Sequence, residues 1–507
     1  MLIPLNLVRD QPLQQQLYDQ LQALITSARL RPGVRMPSTR ALAEQFGISR
    51  NTTLLTYERL IAEGYLETLP AKGTFVLRPP VRLARAAAEP QRPLGSIGAT
   101  AGGHLEDDRE ASHAEEARVG RPDPSLFPAG RWRALMRGAL DGMGARLGSE
   151  HPGGNPALRN AVADWLSTSR GLAVAPEQVV LVNGRQQALH IIAHLTSRPG
   201  AHAVVEDPCD AAAAAALASE SVDLVRVPVD ADGLRTDCLP DCSGGCPIAG
   251  VPVGSPGRAR GMLPNTSVTL VHVTPEHQRP LGVTMSRGRR IALLAWAQRA
   301  GALILEEDCE GELRYGETSV PSLLSLDTDE RVILLGGFCT SLGPWIGMAY
   351  LVLPRRLLAA AQAARRMIDD SRRRLEETAL AELLGSGFYA RHLHRLGKAY
   401  ANRRDALLIA LQHSFGEPAA TWGAHAGLHL TWFPPPHVGS AAYLATLAQR
   451  CGLEAVAVPI EAHGRAPVAP PILLGFGMLP ERQISARVAQ FAARARASGP
   501  ITALSAD

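Results

Sequence analysis

The chain has 507 residues, 46% hydrophobic and 20% charged, with a formal net charge of +4. That length exceeds one compact core and favours about two or three domains, no apolar run approaches the ~20 residues of a membrane helix, and the slight charge says little about nucleic acid. Met1 to Asp10 lacks a basic segment followed by an apolar one, and seven cysteines argue against a disulfide framework, so the expected address is the cytoplasm.

Residues 1–77 read as a DNA-binding head. Leu13, Leu17, Leu21 and Leu24-Ile25 lie on one helical face, and Arg31-Pro32-Gly33 breaks the chain. Ser38 suits the N-cap of a short helix from Thr39 to Gln45, Gly47 makes a turn, and Ser49 caps a third helix running to about Glu63. Two extended runs, Tyr65–Thr68 and Thr74–Val76, flank Lys72 and Gly73. The third helix opens Ser49-Arg50-Asn51-Thr52-Thr53, a cation among short polar donors at the end that recognition helices present to the major groove. Arg40 and Lys72 would hold the backbone on either side. The spacing by itself also suits a helical hairpin with a solvated polar cap. The stretch from Arg29 to Val76 resembles the winged helix-turn-helix of the GntR superfamily over its full length. That resemblance implies DNA contacts from Arg40 and Arg50 and a wing tip at Gly73.

Residues 78–120 are rich in Ala, Gly, Pro and charge, including the acidic run Glu106-Asp107-Asp108, and show no apolar periodicity. They read as a mobile tether.

From residue 121 to 507 the pattern alternates. Short apolar runs (Val179–Val182, Ala203–Val205, Ser267–Val273, Ala302–Leu305, Val332–Leu335) read as buried strands. Helical stretches such as Ala157–Thr168, Gln186–Leu195 and Arg287–Ala300 separate them. This implies an α/β body with a largely parallel sheet and ligands at strand C-terminal ends, followed by a smaller α+β portion. The segments "LVNGRQQAL", "VVEDP", "HVTPEHQRPLGVTMS", "ILEEDCEGELRY", "LLGGFCTSLGPWIGMAYLVLP" and "LLGFGMLPE" resemble, in this order, the body of MocR-type regulators. The resemblance implies an aminotransferase fold type I body that dimerises, binds pyridoxal phosphate and senses a metabolite.

Position by position, the resemblance predicts a degenerate cofactor site. The Schiff-base lysine falls on Thr340, and the whole chain holds only two lysines, Lys72 and Lys398. The phosphate-binding hydroxyl falls on Gly337, the phosphate-binding arginine on Gly347, and the carboxylate for the pyridine nitrogen on Glu307. The ring-oxygen tyrosine falls on Cys309, the stacking aromatic on Asp210, and a substrate-gripping arginine on Leu473. A Schiff-base enzyme needs its amine both to hold the cofactor and to move the proton. Charge-assisted donors to phosphate contribute roughly 1.5–3 kcal/mol each, so these combined losses imply abandonment of covalent binding. Asn183 with Gly184, Arg185 and Gln186 leaves a helix N-terminus for a noncovalent phosphate.

Arg185 and Arg279, with Cys209, Cys309 and Cys339 at strand ends, read either as drift in a disused cavity or as a pocket repurposed for an anionic effector or a thiol sensor. Cys238, Cys242 and Cys246 have no common zinc spacing and read as surface-loop thiols. Glu306, Glu307, Asp308, Glu310 and Glu312 read as alternately buried and solvated carboxylates rather than a metal cluster. The expectation is a dimeric regulator of double-stranded DNA without transaminase activity; the alternative is a regulator or aminotransferase that keeps its cofactor.

Overall fold

The computed structural model describes residues 5, 13–26, 29–30, 32–62, 65–69, 73–77, 119–142, 151–220, 222–240, 267–308, 310–316, 320–368, 373–416, 420–435, 437–458 and 470–497. The chain divides into two compact units, residues 1–102 and 103–507.

The first unit is built as its sequence dictates. Helices α1 (Leu13–Thr26), α2 (Thr39–Phe46) and α3 (Arg50–Ala62) precede an antiparallel hairpin of β1 (Leu66–Leu69) and β2 (Gly73–Val76). The apolar face of α1 supplies Leu17, Leu21 and Ile25 to a core shared with Leu42, Tyr57, Leu60 and Val76. Ser38 caps α2 by accepting from the amide of Ala41 at 3.1 Å, and Gly47, at φ 62°, turns the chain out of it. A bridge from Arg35 to Phe75 adds a third edge to the wing.

In the second unit an eight-stranded sheet has the order β3-β10-β9-β8-β7-β4-β5-β6. These strands are β3 (Val179–Val182), β4 (Ala201–Asp207), β5 (Asp223–Asp230), β6 (Gly233–Leu234), β7 (Ser267–Val273), β8 (Leu303–Asp308), β9 (Val332–Gly337) and β10 (Ala349–Val352). Neighbours from β5 through β4, β7 and β8 to β9 run parallel, whereas β10 runs antiparallel to both β9 and β3, giving a mixed sheet. Apolar side chains pack both faces, as buried parallel strands require. A smaller antiparallel sheet, ordered β11-β12-β14-β13, comprises β11 (Ala420–Trp422), β12 (His429–Phe433), β13 (Glu454–Ala457) and β14 (Ile472–Gly475).

Two expectations change. The tether expected over 78–120 lies outside the described residues except at its end, where Val119 is buried with Leu281, Val456 and Leu473. The amide of Gly120 donates to Glu454 at 3.1 Å, so the chain is docked two residues earlier than expected. The carboxylates from Glu306 to Glu310 do not alternate: Glu306, Glu307, Asp308 and Glu310 are all buried. β8 lies between β7 and β9 with both faces covered, which leaves no solvated side. Among the described residues, no helix is long and apolar enough to cross a membrane.

Candidate functional site

The head exposes Ser38, Arg40, Ser49, Arg50 and Asn51, with Thr52 half-buried. Ser49 Oγ accepts from the amide of Asn51 at 3.2 Å, fixing the start of α3. Arg40 pairs with Glu44 at 3.0 Å on the exposed face of α2, a contact weak enough to yield to a phosphate. Thr53 is a correction. It is fully buried, because it falls on the face of α3 that packs into the head, and cannot reach DNA. Lys72 lies outside the described residues; Gly73, at φ 107°, opens β2. Arg35, which sequence reading passed over, is exposed and lies against that glycine: a Cβ there would meet Arg35 Nε at 3.0 Å. Leu54 and Leu55, in the turn after Arg50 and Asn51, are also exposed.

In the body, Gly184, Arg185, Asp210, Glu307, Gly337 and Thr340, positions the resemblance assigns to a cofactor site, lie at the C-terminal ends of β3, β4, β8 and β9. Gly184 begins the helix Gly184–Thr196 at φ 87°, and Arg185 reaches from its first turn across the crevice. There it forms a two-point ion pair with Glu307: Nη2 is 3.0 Å from Oε2, and Nε contacts Oε1. Its Nη1 also donates to Asp210 Oδ1 at 3.0 Å. Asp210 in turn accepts from the amide of Ala213, capping the helix Ala211–Ala218. His272 Nε2 lies 2.9 Å from Glu307 Oε2.

The electrostatics follow from these contacts. Burial alone would raise the Glu307 carboxyl, but the Arg185 guanidinium and the His272 hydrogen bond outweigh it and hold it well below the usual range. Asp210 is likewise held down against its burial by Arg185 and Arg279. Arg279 lies 4.0 Å from Asp210 and 3.5 Å from Glu310. Both arginines, for which a repurposed pocket and drift were alternatives, face carboxylates. Beside them, a cavity lined by Thr274, Arg279, Glu307 and Glu310 measures about 10 Å³, room for about one water.

The remaining positions of that assignment differ in burial and neighbours. Thr340 is buried in the first turn of the helix Cys339–Leu342, directly after β9, and Gly337 ends that strand. A Cβ on Gly347 would meet Arg373 Nη1 at 2.9 Å, and one on Gly184 would meet the Gly347 carbonyl oxygen at 3.5 Å. Gln186 is exposed, and Leu473 is buried in the small sheet. Burial pushes the Cys209 thiol up to about 11 and raises that of Cys339, which makes both poor thiolates. Cys309, Cys242 and Cys246 lie outside the described residues, and Cys238 is half-buried in a single helical turn.

Comparison with known proteins matches this two-part architecture. Residues 13–76 match the bacterial regulatory proteins of the gntR family, and residues 131–457 match aminotransferase class I and II. The chain belongs to the MocR-type regulators, in which a GntR head is joined to an aminotransferase-like body, and it is a DNA-binding transcriptional regulator. It is 34% identical over 415 residues to the probable rhizopine catabolism regulatory protein MocR of Rhizobium meliloti, covering 79% of this chain and 77% of that one. It is 30% identical over 399 residues to the pyridoxine biosynthesis transcriptional regulator PdxR of Corynebacterium glutamicum, covering 77% of each. The body also shares its fold with an archaeal alanine:glyoxylate aminotransferase, at a TM-score of 0.63 and 23% identity, covering 78% of this chain and 96% of that structure.

Proposed function

We propose that the body acts as a dimerisation and effector-sensing module that holds no covalent pyridoxal phosphate and performs no transamination. The observation carrying this reading is the ion pair of Arg185 with Glu307 and Asp210. It engages, within the protein, the carboxylate that would otherwise meet the pyridine nitrogen and the position that would stack on the ring. A guanidinium already bound to the acid leaves the ring no charged partner. Thr340, lacking an amine, leaves it no covalent anchor. Fold likeness does not reinstate the chemistry, because activity resides in site residues.

DNA recognition falls to the exposed start of α3. Arg50 and Asn51 meet base edges, with Leu54 or Leu55 against apolar base surface. Ser38, Arg40, Arg35 and the wing hold phosphates.

The effector belongs in a different cleft from the old cofactor crevice. A volume of about 690 Å³, suited to a small molecule, is lined by Trp165, Arg170, Glu276, Arg314, Tyr315 and Lys398. Arg170 is held by Asp308 and Arg314 by Glu276, while Lys398 stays exposed at the rim. An anionic metabolite suits that rim.

The deciding experiment is an absorption spectrum of purified protein with added pyridoxal phosphate, before and after gel filtration, alongside binding to its own promoter DNA. A colourless protein that binds DNA supports the reading. A yellow band that survives filtration and disappears with borohydride overturns it. Thermal shifts with a panel of organic and amino acids, wild type against Lys398→Ala, test the cleft.

A further inference from the structure

His277, Glu310 and His429 come together from three separate parts of the body: the loop after β7, the loop after β8, and the first residue of β12. All three are buried, and one potential ligand atom from each lies within 4.8 Å of the other two. Glu310 Oε2 is 2.7 Å from His277 Nδ1 and 3.8 Å from His429 Nδ1. The shorter contact is a buried imidazole–carboxylate ion pair whose geometry is poorly aligned for a hydrogen bond. A misaligned buried pair with a second imidazole close by is a poor resting partner for a carboxylate and leaves its oxygen open to a better ligand.

The outward-facing atoms are engaged in a distinct way. His277 Nε2 donates to the Gly423 carbonyl at 3.1 Å, and His429 Nε2 donates to the Pro280 carbonyl at 3.0 Å. Each ring therefore carries a proton on Nε2 and turns Nδ1 toward the same carboxylate, where a metal ion would replace any proton held between His277 Nδ1 and Glu310. Arg279 Nη1 steadies the far oxygen, Oε1, at 3.5 Å. A carbonyl behind each imidazole and a cation behind the carboxylate is the outer shell that orients metal ligands. Two glycines keep the Nδ1 side open. A Cβ on Gly427 would collide with Glu310 Oε2 and meet His277 Nδ1 at 2.9 Å, and one on Gly120 would meet His429 Nδ1 at 3.2 Å.

We propose that His277, Glu310 and His429 form a divalent-metal site of the zinc type, with a water in the fourth position. Two imidazoles and one carboxylate are a known zinc donor set, with bonds of about 2.0–2.2 Å. Tetrahedral bonds of that length put ligand atoms about 3.4 Å apart. The 2.7 Å pair opens by about 0.7 Å and the 3.8 Å pair closes by about 0.4 Å to reach that spacing, and the two imidazole nitrogens, within 4.8 Å of each other, approach as the ion is bound. Because His429 starts a strand of the small sheet and the other two ligands follow strands of the large one, the ion ties the two sheets together.

The test uses the full chain, stripped with chelator and titrated with Co²⁺ alone. The expected result is visible absorption of tetrahedral Co²⁺ saturating at one ion per chain, without a near-ultraviolet thiolate band, and displaced by Zn²⁺. Glu310→Gln and His429→Gln, each checked for folding by circular dichroism, should weaken Co²⁺ binding by at least about tenfold. Absence of a Co²⁺ spectrum from the wild-type protein overturns the proposal, whatever the variants do. So does a spectrum unchanged in both folded variants, or a thiolate band that disappears with Cys238→Ser.

Discussion

Arg185 and Glu307 face each other across the sheet's C-terminal edge as a two-point ion pair, with Nη2 and Oε2 3.0 Å apart. Glu307 is buried and Arg185 retains 20% side-chain exposure, so the acid depends on the arginine more than the reverse. Removing one partner of such a pair costs about 3–5 kcal/mol because a buried charge is left uncompensated. Arg185→Met should therefore lower unfolding stability by about 3 kcal/mol, the lower end because of that exposure and the remaining His272 contact. Denaturant unfolding measures this, and a loss under about 0.5 kcal/mol, typical of an ordinary surface substitution, would show the pair to be incidental.

Two buried carboxyls make stability depend on pH in opposite senses. Burial outweighs the Thr274 and Gln278 hydrogen bonds and raises Glu206 from 4.5 to about 6. Its folded form thus holds the proton more tightly. That contribution is full below about 4.5 and is lost as pH rises through about 6, on the order of 2 kcal/mol in all. Glu206→Gln should flatten this part of the stability profile. Glu307 has its folded value depressed, so its contribution is present above the ordinary carboxylate range and lost as pH falls below it. Unfolding midpoints measured across acid pH separate the two; an unchanged profile in Glu206→Gln counts against the first assignment.

The head offers a paired test of contact against burial. Arg50→Ala should weaken promoter-DNA binding by about 1–3 kcal/mol, read as a gel-shift or anisotropy titration at fixed salt. Thr53→Val should leave affinity unchanged, because Thr53 is enclosed and its hydroxyl has no hydrogen-bond partner. If the valine variant folds as wild type yet loses DNA affinity, the burial argument fails.

Restoring an amine should not restore a cofactor. Thr340→Lys, incubated with pyridoxal phosphate and gel-filtered, should remain colourless, because Arg185 still holds Glu307 and Gly337 and Gly347 supply no side-chain donor. Retained yellow colour in that single variant would mean that the missing lysine was the sole defect.

Much of this protein was legible in its residues because the determining interactions are local. Ser38 and Gly47 delimit α2 through cap and turn chemistry within a few residues, and the strands Val179–Val182 and Ser267–Val273 and the helix Arg287–Ala300 were readable to the residue from apolar runs and their caps. The absence of an amine at Thr340 is likewise a property of the sequence. Tertiary structure decided what depends on long-range placement. Thr53 was a plausible DNA contact until the packing of α3 chose which face to bury. Arg185 and Glu307, 122 residues apart, read as a phosphate-end cation and a pyridine-facing carboxylate until parallel strands brought their ends together. The His277–Glu310–His429 cluster has no spacing to detect, because its members are gathered from two sheets. Periodicity records which side chains turn inward, whereas only the assembled sheets fix which charges meet there.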